Sequence, residues 1–262
     1  MLNDYNVYTA RIAGEIREEY TPGTLEHALA DLYAGSTLDG EDIFIKLQSE
    51  PLKNTQLGRT YREVVDYYLG VKEFHLAVFS GVWIPTGGIR KLGVHPEIGF
   101  QGGVKSKRMN YDLTVAIKFL NSPNYYRAYR KDVGLYEDTR RFFGGYMGAD
   151  VGYDFLRGKS SEFQLLGGIA FDGFDILEED KKSGAKIAGA QSYNFNVGLG
   201  YRCYVSKESY FGIRVKYHVV DYSLSRTIDF TGNPITVHLV WGWFEKSNKI
   251  HSLETLKYPS RW

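Results

Sequence analysis

Six histidines and a spread of carboxylates are the residues of this 262-residue chain with the widest catalytic repertoire. General-base or nucleophilic chemistry needs a histidine within reach of a carboxylate and of the group it activates. The best such set is His95 and His218 with Asp172 and Asp221, which lie at similar heights toward one end of a series of alternating segments. No Ser-His-Asp order marks them as a triad, and a histidine among Asp and Glu is more often a hydrogen-bonding partner. The histidines are scattered, with no HxH or HExxH pair, so neither a metal nor a cofactor is implied. Cys203 is the single cysteine, which excludes an intrachain disulfide and a thiolate cluster. The expectation is a non-enzymatic chain with no catalytic residues.

Composition narrows the class. A formal net charge of +1 gives no global field to attract nucleic acid. No run of 18 apolar residues exists, so a transmembrane helix is not expected. The opening MLNDYNVYTARIAG carries no charged stretch followed by an apolar one, and no secretory signal is legible in it. Aromatic residues make up 15% of the chain, 21 of them Tyr, and there are 29 Gly.

Residues 1–73 mix helix and strand signals. Thr21 is a possible N-cap with Pro22 at the first helical position, and Leu25, Ala28, Leu29 and Leu32 share one face before Gly35. EDIFIKLQ alternates like a short strand. Thr60 and Glu63 have capping-box spacing ahead of Val64, Val65, Tyr68 and Leu69. A small α+β unit, or an arm that folds on a partner, is expected there.

From residue 74 the pattern becomes strict alternation, the signature of strands whose successive side chains face opposite ways. Eight strands are expected, near 74–85, 94–106, 109–120, 140–156, 161–174, 191–205, 209–222 and 235–245. Each interleaves an apolar row with a polar one. Gly99, Gly103, Gly144, Gly148, Gly152, Gly168, Gly198, Gly200 and Gly212 fall on the polar row. Glycine weakens a solvated strand face but makes room for long charged side chains inside a narrow tube. Connections alternate between short (KSKR, RGKSS, SKES) and long (NSPNYYRAYRKDVGLYEDT, GFDILEEDKKSGAKIAGAQ), and the strand number is even, as in a transmembrane barrel. Aromatics sort by height. Tyr111, Tyr153, Phe155, Phe163, Tyr201, Phe211, Trp241 and Trp243 lie at the short-turn end, and Phe119, Phe143, Phe171, Tyr193 and Tyr217 at the long-loop end. Such girdles mark the two interfaces of a bilayer, so the apolar row faces lipid.

The fold class expected is therefore an all-β membrane protein, an eight-stranded antiparallel transmembrane β-barrel with a small α+β N-terminal region. Its division is 1–73, an N-terminal region or arm; 74–245, the barrel; and 246–262, a C-terminal tail. The polar row becomes an interior network of Glu97, Lys105, Asp112, Lys118, Asp150, Asp154, Arg202, Arg214, Lys216 and His218, with His95, Glu162 and Asp172 sharing the same space. Buried charges must be paired to be tolerated. Replacing Arg202 with Met is expected to leave a carboxylate unpaired.

These strands resemble the small outer-membrane β-barrels of Gram-negative bacteria, the OmpA, OmpX and OmpW-like group, over residues 74–245. GVWIPTGGIRKLGVHPEIGFQGG is similar to the first hairpin of barrels from the Bacteroidota. TVHLVWGWF looks like the C-terminal aromatic signal of such barrels, although here SNKIHSLETLKYPSRW follows it. The resemblance implies a bacterial outer-membrane location, with both termini periplasmic and the long loops extracellular.

Three functions are compatible with that resemblance. The first is a membrane anchor or accessory subunit of an outer-membrane assembly, with residues 1–73 contacting periplasmic or outer-membrane protein partners. The second is a lipid-modifying enzyme like the eight-stranded palmitoyltransferases, resting on His95, His218, Asp172 and Asp221. The third is a narrow channel or small-ligand receptor, which the many interior charges disfavour. In the longest loop, Tyr125, Tyr126, Arg127 and Arg130 are candidates to grip lipopolysaccharide phosphates or a partner protein, with Tyr129, Tyr136, Arg140 and Arg141 nearby.

Overall fold

The computed structural model describes residues 2–35, 44–50, 52–130, 134–179, 187–224 and 230–258. The strands, in chain order, are β1 (Glu73–Ile84), β2 (His95–Ser106), β3 (Met109–Lys118), β4 (Tyr126–Arg130), β5 (Leu135–Thr139), β6 (Phe143–Arg157), β7 (Ser161–Leu177), β8 (Ala188–Tyr204), β9 (Ser209–Val220) and β10 (Ile235–Glu245). Eight of them close a barrel in the order β1-β10-β9-β8-β7-β6-β3-β2, and β4 and β5 form a separate two-stranded sheet. Closure is antiparallel between the first and last strands, in register from Phe74 opposite Glu245 to Ile84 opposite Ile235. With no open edge in the barrel, each of its eight strands has a partner on both sides.

The barrel is inverted relative to a soluble protein. Leu113 is 70% exposed and Phe100 69%, whereas Asp154 is 0% and Lys118 1% exposed. A water-soluble chain buries its apolar surface, and only a hydrocarbon solvent rewards the opposite arrangement. The outward aromatics of the short-turn end adjoin one another across strands. Phe163 lies 4.8 Å from Tyr201, and Phe211 5.6 Å from Trp241. At the other end Phe171 lies 4.8 Å from Tyr193. This is a transmembrane β-barrel with an aromatic belt at each interface.

Inward positions alternate in size. Gly242 on β10 stands opposite Tyr210 on β9, and a Cβ at Gly242 would overlap the Tyr210 ring. Gly242→Val is expected to lower the temperature of the gel heat-shift by forcing that ring aside, as overpacking does. Adding Tyr210→Ala should return part of the loss, and a double variant no better than the single one would contradict the pairing.

The connection from β3 to β6, expected as a loop, contains the β4–β5 hairpin. Tyr126, Ala128 and Arg130 face inward and are buried, while Tyr125 and Arg127 are exposed. Gly134, at a φ of +69°, supplies the left-handed turn between the two strands.

The other compact unit comprises the described residues up to Val71 together with those from Lys246 to Tyr258. Its helices are α1 (Leu2–Glu19), α2 (Leu25–Tyr33), α3 (Gln56–Gly70) and α4 (Ser247–Thr255), with a 3-10 turn at Leu52–Asn54. The tail is thus a helix of this unit, since Leu253 enters one core with Ala28, Leu47, Leu52, Tyr61 and Val65. The Tyr61 hydroxyl donates to Leu256 O at 2.9 Å, and Gln48 Nε2 donates to Lys257 O at 3.0 Å. Burial raises the Tyr61 pKa above its ordinary value, which keeps the phenol neutral and able to donate. Lys249 Nζ donates to Leu69 O at 3.1 Å and to Val71 O at 3.4 Å, placing a cation at the carbonyl end of α3.

Four local expectations change here. EDIFIKLQ is not a strand where it is described: Phe44–Lys46 is helical, because Phe44 and Leu47 share one face against that core. Its first three residues, like Leu32's side chain, lie outside the described set. Among the described residues before β1 the regular elements are helices and no strand occurs, so the α+β expectation is corrected. The cap of α2 is Thr24, whose Oγ1 accepts from His27 N at 3.2 Å after Gly23 turns at a φ of +94°. That of α3 is Thr55, accepting from Gly58 N at 3.1 Å, which leaves Thr60 inside the helix.

Candidate functional site

The inward row of the eight strands gathers charged side chains along the barrel axis. Nearest the short turns, Lys105 on β2 sits among Glu162, Asp154 and Tyr204. Its Nζ is 2.5 Å from Glu162 Oε1, 3.0 Å from Asp154 Oδ2 and 3.2 Å from Tyr204 Oη. Arg202 on β8 reaches the same Glu162 at 3.2 Å and lies over the Tyr210 ring at 4.4 Å. Asn110 and Gln164 donate to Asp154 Oδ1 at 3.0 and 2.7 Å, and Arg157 pairs with its other oxygen at 2.7 Å. Glu162 therefore keeps Lys105 and the Tyr204 hydroxyl, which donates at 2.9 Å, when Arg202 is removed. The expectation that Arg202→Met strands a carboxylate is corrected by this sharing.

Midway along, His75 Nε2 lies 2.7 Å from Asp112 Oδ1 and Lys216 Nζ lies 2.7 Å from Asp150 Oδ1. Thr114 donates to Asp150 Oδ2 at 2.9 Å, and Arg214 donates to Gln101. Toward the long loops, Lys118 pairs with Asp172, Asn194 donates to Asp172 Oδ2 at 3.1 Å, and His238 pairs with Glu97 at 3.0 Å. The space left among Glu97, Lys118, Tyr146, Asp150, Asp172 and Lys216 is about 10 Å³. That volume holds about one water molecule.

The set weighed for catalysis is dispersed. His95 is buried with Nε2 2.8 Å from Leu92 O and Nδ1 3.0 Å from Leu120 O, and its ring stacks on Phe142 at 3.5 Å. His218 lies between Asn194 Oδ1 and Thr236 Oγ1 at 3.1 and 2.9 Å. Asp172 belongs to Lys118. Asp221 is exposed and accepts from the Ser223 backbone N–H and hydroxyl. No pair among the four is joined by a hydrogen bond in the described structure.

The long-loop end carries a feature that polarity alone hid. Trp83, Phe142, Phe174, Tyr126, Tyr222 and Phe230 form an apolar cluster with Ile89, Leu92 and Ile176. Trp83 has inward parity on β1, four residues beyond Phe79, and lies 5.3 Å from Phe142. A second cluster, including Tyr204, Tyr210 and Phe244, lies toward the short-turn end. The polar interior is capped by aromatic packing on both sides.

Of the four loop candidates, Tyr125 and Arg127 are exposed, while Tyr126 and Arg130 are buried. The latter two are corrected to structural roles. The Tyr126 hydroxyl donates to Arg141 O, and Arg130 pairs with Glu137 at 2.7 Å and donates to Glu178 O at 3.0 Å. Inward parity on β4 turns both side chains toward the cluster and the adjoining chain. Arg127 instead covers the Tyr136 ring at 4.9 Å, and Arg140 covers Tyr125 at 5.5 Å.

An even strand number, short turns at one end, longer connections at the other, an apolar band and two aromatic girdles define a small outer-membrane-type β-barrel. No protein-family model matches the chain, and no curated protein sequence matches it. Among solved structures it is similar to Neisserial surface protein A, at 12% identity and a TM-score of 0.47 over 66% of this chain and 96% of that one. It is also similar to the N-terminal barrel domain of Pseudomonas aeruginosa OprF, at 11% identity and a TM-score of 0.44 over 66% and 97%. A major outer membrane protein from Thermus thermophilus matches at 10% identity and a TM-score of 0.44, over 67% of this chain and all of that one.

Proposed function

We propose that this chain is a non-enzymatic outer-membrane anchor and accessory subunit, whose barrel holds a helical unit for contact with periplasmic or outer-membrane protein partners. The observation that carries this reading is that both ends of the chain, which barrel closure does not use, fold into one helical unit with its own core. Closure of the barrel uses neither end, since β1 pairs directly with β10. The packed, ion-paired interior supports an anchoring role over transport. The short-turn end, where the chain enters β1 and leaves β10, is periplasmic in this reading, and the long connections are extracellular.

The test is affinity purification from detergent-solubilised outer membranes. The whole chain is compared with one lacking residues 1–70 and 246–262, both checked for a normal heat-shift. Stoichiometric partners that vanish with the deletion are the expected result. A whole chain that purifies alone would sink the assembly reading. The filled interior carries a separate prediction: purified protein in a planar bilayer is expected to show no stepwise conductance, and steady unitary openings would contradict the packing described above.

A further inference from the structure

We propose that the groove between α1 and α2 is the docking site for an amphipathic helix of a partner protein, one whose aliphatic stripe is flanked by Lys and Arg. This rests on the assembly role proposed above. The groove has a volume of about 490 Å³, with Ile12, Ile16 and Leu29 among its lining and Tyr8, Tyr20 and Tyr33 beside them. Tyr8, Ile12 and Ile16 recur every four residues, so they form one stripe along α1, and Tyr20 follows at the same spacing just past its end. From Tyr8 to its end at Glu19 the helix rises about 16 Å, some three turns, a length suited to a helix rather than to a compact ligand. Tyrosine supplies contact area at low entropic cost, with a hydroxyl that tolerates both water and burial.

Charge selects the occupant. Arg11 pairs with Glu15 at 3.7 Å and Arg17 with Asp31 at 3.4 Å, so the basic groups of this hairpin are met within it. Glu18, Glu19 and Glu26 are exposed and have no partner among the described residues, and Glu26 lines the groove. An acidic border repels anionic lipid and attracts a basic flank.

The experiment uses the full-length chain in phosphatidylcholine nanodiscs. It is titrated with two labelled helical peptides of roughly 18 residues, about five turns, sharing one leucine stripe and flanked by either Lys or Glu. The Lys-flanked peptide is expected to bind about tenfold tighter than its counterpart. Ile16→Glu should weaken it by about the same factor, and Glu26→Lys should narrow the gap between the two peptides. Equal binding of both peptides, equal binding to empty nanodiscs, or indifference to Ile16→Glu would overturn the assignment. So would a wild-type dimer that Ile16→Glu dissolves, since the occupant would then be a second copy. The same variant separates this inference from the assembly role. If native partners co-purify with Ile16→Glu as with the wild type, the assembly role stands and the groove assignment falls. If none co-purifies with the wild type, the assembly role falls, and the titration still decides what the groove binds.

Discussion

Lys118→Met is expected to destabilise the barrel by about 3–5 kcal/mol, the cost of stripping one partner from a buried ion pair. Lys118 is fully buried and pairs with Asp172, which is also buried. Without the ammonium, Asp172 retains the neutral Asn194 amide as a donor, 3.1 Å from Oδ2, and that cannot balance a carboxylate out of water. Urea unfolding in detergent micelles should show the midpoint falling, and the heat-shift on a semi-native gel should come at a lower temperature. Combining Lys118→Met with Asp172→Asn removes the stranded charge and is expected to recover much of the loss. Arg202→Met serves as the contrast, with a smaller effect, because Glu162 keeps Lys105 at 2.5 Å and the Tyr204 hydroxyl at 2.9 Å. A Lys118→Met midpoint equal to that of the wild type would refute the pair's importance, and an Arg202→Met loss as large as that of Lys118→Met would refute the sharing.

The difference between those two arginine and lysine sites explains what a sequence can and cannot carry. Period-two alternation fixes which side of a strand a residue takes, so Glu97, Asp112 and Lys216 share a face by parity alone. Which cation meets which carboxylate depends on barrel closure and side-chain reach. Lys105 and Glu162 are 57 positions apart and on strands that are not neighbours. Parity also held a signal that sorting by polarity discarded. Tyr204 stands two residues beyond Arg202, and Phe244 two beyond Gly242, each on the inward row. The girdle residues named from the sequence all lie on the outward row, and Tyr204 and Phe244 were assigned to neither face although their position places them inward. The β4–β5 hairpin was obscured by its short strands, where Arg at two positions resembles a solvated loop until Tyr126, Ala128 and Arg130 are seen to alternate. The tail helix could not be assigned locally at all, since the bond from Tyr61 to Leu256 joins residues 195 positions apart.

Trp83→Ala is expected to cost a similar amount, about 3–5 kcal/mol, through the void left when a buried indole is truncated. Trp83 is 0% exposed and its ring neighbours are His95 at 5.9 Å, Phe142 at 5.3 Å and Phe174 at 6.1 Å. Lys118 Nζ lies 5.2 Å from the same ring, so the indole joins the apolar cluster to the ion-paired interior below it. Two effects should therefore appear together. The urea midpoint falls, and hydrogen exchange accelerates in the segment around Phe142 and in the upper part of β7, where Phe174 and Ile176 lose their packing. Trp83→Phe keeps a ring in the cluster and should lose far less on both measures. If Trp83→Ala lowered the midpoint while exchange at the loop end stayed slow, the cluster would be a stabilising element without being the seal. Fast exchange with an unchanged midpoint would make it a cover over an interior that holds itself together by charge.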